Sequence, residues 1–149
     1  MRYAESLYDA GLIMLLHATT VEYKGRGIVI TGKPQSGKSS LALCLIERGA
    51  MLVADDQTEI ELIDEKLIAR APEALAGLIE IHGLGICRFP YLRRVSLHLA
   101  VELLPASSVE RMPPPDELPL LGVSLPLLRL DSAKELGVIK IQQTLASLA

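Results

Sequence analysis

From Leu12 onward, apolar and polar positions fall into alternating short runs that predict strands and helices in turn. LIMLLHATTVEYK is extended in character, and in its second half Thr19, Val21 and Tyr23 alternate with Thr20, Glu22 and Lys24, the period of a half-buried strand. Gly25-Arg26-Gly27 signals a turn, and IVIT follows as a short buried strand. The pair predicts a β-hairpin whose second strand feeds a glycine-rich loop. SSLALCLIERG then reads as a helix, with Leu41, Leu45 and Ile46 at apolar positions, Arg48 in the last turn and Gly49 to end it. AMLVA is a buried strand stopped by Asp55-Asp56. Thr58, Ile60 and Leu62 alternate with Glu59 and Glu61, and Asp64-Glu65 turns the chain into LIAR.

Residues 72–88 hold a short helical or extended run and a second glycine-bearing loop, and VSLHLAVEL is a further strand. Residues 105–119 carry five prolines and read as a surface loop. SLPLLRL is extended, and SAKELGVIKIQQTLASLA is helical despite Gly137. Residues 2–9 read as a lead-in of helical character. The expected product is one α/β domain over residues 1–149, a mixed sheet with flanking helices.

Composition narrows the partners. There is no Trp, one Phe and four Tyr, so the core must be Leu, Ile, Val and Ala, with little stacking surface for bases. The net charge of −3 gives no overall attraction to nucleic acid or an anionic membrane. The most apolar early stretch, Ala10 to Leu16, is far shorter than the roughly 20 residues of a membrane span and lacks the basic leader of a signal peptide. A soluble, cytoplasmic protein is expected. Cys44 and Cys87 have no metal-ligand spacing, and Cys44 reads as a buried reduced thiol.

Gly32-Lys33-Pro34-Gln35-Ser36-Gly37-Lys38-Ser39, followed by Ser40, satisfies the phosphate-binding loop pattern. Its glycines let backbone N–H groups converge on phosphate oxygens, and the next helix aims its positive end at the same place. Lys38 would reach the β- and γ-phosphates of a nucleoside triphosphate, and the Ser39 hydroxyl would take a Mg²⁺ position. Asp55-Asp56 ends the strand after that helix, where a carboxylate can bind Mg²⁺ and its neighbour can tune it or act as a base; the plain alternative is a solvated turn. His82 and Glu80 share one side of an extended segment and could give a second metal ligand or a substrate contact. His98 reads as a structural residue.

These pieces, in order, resemble the kinase domain of HPr kinase/phosphorylase: His17 before the hairpin, GKPQSGKSS, LVADD at 52–56 and IEIHGLGI at 79–86. The resemblance covers roughly residues 14 to 103. It implies the fold shared with phosphoenolpyruvate carboxykinase, in which a hairpin enters the phosphate loop, and an ATP- and Mg²⁺-dependent kinase acting on a serine of HPr, the small carrier protein of the sugar phosphotransferase system. The roles it implies are Lys38 and Ser39 on phosphate and metal, Asp55 as base and near the metal, Asp56 and His17 in support, and Glu80 toward the metal. Gly83 and Gly85 would shape the loop near the protein substrate, with His82 where the family has Arg. The arginine-rich PVRPGRN stretch has Arg129 as its nearest counterpart. The chain resembles the short, single-domain forms of alphaproteobacteria, and a homo-oligomer stays open. The rival readings are a nucleotide-sensing module without phosphotransfer and a small-molecule P-loop kinase.

Overall fold

The computed structural model describes residues 3–8, 11–132 and 134–148. Among the described residues twelve strands and two α-helices run in the order β1 (Tyr3–Tyr8), β2 (Gly11–Leu16), β3 (Thr19–Tyr23), β4 (Arg26–Gly32), α1 (Lys38–Glu47), β5 (Met51–Ala54), β6 (Thr58–Ile63) and β7 (Lys66–Arg70). They continue with β8 (Leu78–Ile81), β9 (Gly85–Arg88), β10 (Val95–Leu103), β11 (Glu117–Leu120), β12 (Val123–Leu130) and α2 (Lys134–Ser147). The lead-in at 2–9 is therefore a strand where described, because residues 3–8 pair antiparallel with β2. Tertiary pairing overrides the weak local preference there.

The main sheet runs β1-β2-β6-β7-β10-β4-β3-β5, with β12 also beside β10 and β11 beside β12. β4, β10 and β12 are mutually parallel through β10, while the other pairs are antiparallel, so the sheet is mixed as expected. Both helices pack on one face, where Leu41, Leu45, Val138 and Ile141 meet Ile28, Ile30, Leu99 and Val101. The other face is covered by the sheet's own curl: Met14, Ile60 and Leu67 meet Val29, Val53, Leu97 and Leu120. The buried apolar residues are almost all Leu, Ile, Val and Ala, joined by Met14 and Tyr23.

Local chemistry explains the turns. Lys24 and Gly25 have φ of 52° and 83°, so the β3–β4 hairpin closes on these two residues and Arg26 and Gly27 are already paired, one step earlier than expected. Asp64 and Glu65 close β6–β7 in the same way. The helix α1 stops at Gly49, φ 102°, whose N–H donates to Ile46 O at 3.0 Å while Ala50 N–H returns to Leu45 O. The proline-rich segment is shorter than 105–119: β11 begins at Glu117 and contains Pro119, which an edge strand tolerates because one side needs no partner. Among the described residues no helix is long and apolar enough to cross a membrane.

Candidate active site

The phosphate loop lies between the end of β4 and the start of α1. Gly32 sits where an added Cβ would come 2.5 Å from Ser36 Oγ and 3.2 Å from Leu103 Cβ, so only glycine lets the loop fold against β10. Gly37, φ 103°, opens α1 with no side-chain cap, leaving the first N–H groups of the helix for an anion. Ser36 Oγ is buried without a hydrogen-bond partner inside the loop. Lys38 is 7% exposed and its Nζ donates to Gly32 O at 3.1 Å and Lys33 O at 3.0 Å. Burial pushes this ammonium below the ordinary lysine value, and Asp56 and Asp55, which pull upward, do not cancel it.

Opposite the loop, the two consecutive aspartates diverge. Asp55 is 7% exposed, and its Oδ1 accepts from Ser39 Oγ at 2.6 Å and Thr19 Oγ1 at 2.9 Å. Its Oδ2 accepts from the Glu80 N–H at 3.0 Å. Asp56 has φ 68°, in the left-handed region, and its side chain is 61% exposed. His17, in the short link between β2 and β3, places Nε2 at 3.3 Å from Asp56 Oδ1.

Phosphate loop, aspartates, His17, Glu80 and His82 surround a single cavity of about 700 Å³. Most of the residues expected at the site thus share one space. Five stand apart from its walls, the first being Gly32, which is folded against Leu103 of β10. Lys33 is exposed on the loop, Gly83 (φ 91°) lies in the turn joining β8 to β9, Gly85 (φ 99°) opens β9, and Arg129 is tied to Glu102 at 3.2 Å and Asp116 at 2.7 Å. Arg129 therefore braces the end of the proline-rich loop instead of facing the cavity. Three wall residues carry no local sequence signal: Thr19, which steadies Asp55, and Ser132 and Lys134, which arrive from the end of β12. Cys44 and Cys87 are free thiols, and Cys44 is only partly buried.

The donor set fits a magnesium-bound nucleoside triphosphate. The uncapped helix start, the glycine cradle and Lys38 suit phosphate oxygens, while Ser39, Asp55 and Glu80 offer hard oxygen ligands. Among the described residues no cluster of three or more His, Cys, Asp or Glu forms a self-sufficient metal cage. Magnesium does not need one, because it is commonly held by one or two carboxylates together with substrate phosphates and water.

The model of the HPr serine kinase C-terminal domain matches residues 12–93, more than half of the chain. The chain belongs to this family. HPr kinase/phosphorylase from Clostridium tetani is 44% identical over 89 residues, covering 60% of this chain and 29% of the relative. The protein of that name from Geobacillus thermodenitrificans is 39% identical over 127 residues, covering 77% and 41%. The chain thus spans less than half the length of these curated relatives. The solved structure of the Hpr(Ser) kinase/phosphatase from Coxiella burnetii has a TM-score of 0.82 at 25% identity, covering 90% of this chain and 97% of that one. The matched segment contains His17, the whole phosphate loop, Asp55-Asp56 and the Glu80–Gly85 block, so it covers the cavity wall apart from Ser132 and Lys134.

Proposed function

We propose that this chain is a protein-serine kinase domain that transfers the γ-phosphate of ATP, with Mg²⁺, to a serine of an HPr-like phosphocarrier protein, and so acts on the phosphotransferase system. The observation that carries the reading is the division of labour between Asp55 and Asp56. Asp55 has both carboxylate oxygens engaged by three donors, one of them the Ser39 hydroxyl. That arrangement suits a buried anchor on the metal side of the site. Asp56 lines the cavity, with His17 Nε2 3.3 Å from its Oδ1 and the Lys38 ammonium near enough to feel its charge. The base is accordingly Asp56, and Asp55 organises the metal side; this reverses the roles that the family resemblance gave the pair.

Lys38 and the start of α1 hold the terminal phosphates, and bound Mg²⁺ would draw charge from the β- and γ-phosphate oxygens. Asp56 accepts the proton of the substrate serine as that oxygen bonds to phosphorus and the bond to ADP breaks. His17 holds the Asp56 carboxylate in place. Glu80 lies on the metal side, and His82, at the cavity edge, contacts the incoming protein.

Two substitutions test the assignment. Asp56→Asn should cut serine phosphorylation by about a thousandfold or more while ATP binds near wild-type strength. Asp55→Asn should weaken Mg²⁺-dependent ATP binding itself. If Asp56→Asn transfers phosphate normally and Asp55→Asn alone is inert with nucleotide bound, Asp55 is the base and the roles are reversed. Binding of ATP with no transfer to any acceptor would favour a nucleotide-sensing module.

A further inference from the structure

Lys134 opens α2, far from the phosphate loop in sequence, yet it forms part of the same cavity wall. Two features bring it there. The strands β4, β10 and β12 are parallel, so the chain leaving β12 emerges at the same sheet edge as the phosphate loop leaving β4. The second is the register of α2. Its buried positions are Gly137, Val138, Ile141 and Leu145, and Lys134 lies three and four residues before the first two, on the same stripe. Gly137 lets α2 approach closely: a Cβ there would meet Leu41 Cδ1 of α1 at 3.4 Å and Leu130 Cδ1 at 3.6 Å. The core-facing stripe thus ends in a cation at the point where it passes the sheet edge and meets the cavity.

The charges in the wall give that cation a purpose. Among the described residues of the wall, Asp55, Asp56 and Glu80 are anionic, Lys38 and Lys134 are the lysines, and there is no arginine. Lys38 is buried and bonded to its own loop and Arg129 is occupied by Glu102 and Asp116, whereas Lys134 is exposed in the cavity wall. A polyphosphate seated on the loop would face carboxylates through metal and Lys134 directly.

We propose that Lys134 is a second phosphate-contacting residue of the nucleotide site, holding polyphosphate oxygens from the α2 side. The proposal rests on the nucleotide-binding part of the function given above and on none of its phosphotransfer. The test is binding of two probes, ATP with Mg²⁺ and inorganic tripolyphosphate with Mg²⁺, to the full chain by titration calorimetry, with thermal melts confirming the fold of each variant. Lys134→Ala should weaken both probes about tenfold, and Lys134→Arg should stay within about threefold of wild type. Unchanged binding of both probes by Lys134→Ala would overturn the proposal. So would a loss confined to ATP, since the lysine would then serve the base or ribose. Wild-type chain that binds neither probe would remove this inference and the nucleotide reading together, whereas a missing phosphoserine product would leave it intact.

Discussion

Asp55 and Asp56 differ because Asp56, the second residue after β5, adopts φ 68°, which leaves one carboxylate in the protein and delivers the next to the cavity. Aspartate accepts the left-handed region more readily than most residues, so the arrangement costs little. Adjacent acids after an apolar strand were legible in the sequence, and so was their place beside the phosphate loop. Their different environments were not, because these depend on a torsion and on Thr19 and Glu80, neither close in sequence. Lys38 carries a pH prediction at the same scale. Its pKa lies below 10.5 because burial disfavours the charged form. Between the lowered value and 10.5 the unfolded chain holds more protons, so the lysine's contribution to stability rises with pH there, and its charge penalises the fold below that window. Phosphate binding needs the ammonium. ATP affinity should therefore fall on the alkaline side at a pH below that of an ordinary lysine, and calorimetry at stepped pH should show net proton uptake on binding in that range. Uptake only near 10.5 would show that burial is not felt.

At the level of elements, the seam between β4 and β10 positions the phosphate loop. Gly27 is the tight point: a Cβ would come 2.6 Å from the Ser96 carbonyl oxygen and 2.9 Å from Val95 Cγ1. Gly27→Ala should lower stability by about 2 kcal/mol, read as a shift in denaturation midpoint. Equal midpoints would mean that the seam gives way freely. A second contact ties the hairpin to α2, where Arg26 Nη1 donates to Leu145 O at 2.5 Å and Nη2 to Leu148 O at 3.4 Å. These are carbonyls at a helix end, where a cation is favoured. Arg26→Ala should cost about 1 kcal/mol and speed amide exchange in the last turn of α2. The strand β10 shows why this level was only partly readable. Val95, Leu97, Leu99, Val101 and Leu103 alternate without a break, as if facing one way. A register shift between Leu97 and Leu99 sends the first two to the curled-sheet core and the last three to the helix core. The residue at the shift, His98, is exposed with Nδ1 3.0 Å from Ser96 O, in keeping with a structural part.

Across the whole molecule, the candidate site gathers at one edge of the sheet. The carboxyl ends of the parallel strands supply the phosphate loop and the start of α2, and β5 and β8 supply Asp55, Asp56 and Glu80. Ligands of open α/β sheets sit beyond such strand ends. The hairpin entry, the phosphate loop and the acidic turn were legible because each is a local pattern within residues 12–93. The arrival of Ser132 and Lys134, and the withdrawal of Arg129 into an ion-pair cluster, were not, because they follow from which strand neighbours which. The central claim is phosphotransfer to a protein serine. Its most direct test is to incubate the chain with γ-labelled ATP, Mg²⁺ and an HPr homologue from the same genome, then identify the labelled amino acid. Label should appear on HPr as phosphoserine, disappear when Mg²⁺ is chelated, and be absent with Asp56→Asn. Nucleotide that binds while HPr stays unlabelled, or label that moves to a small metabolite, would contradict it.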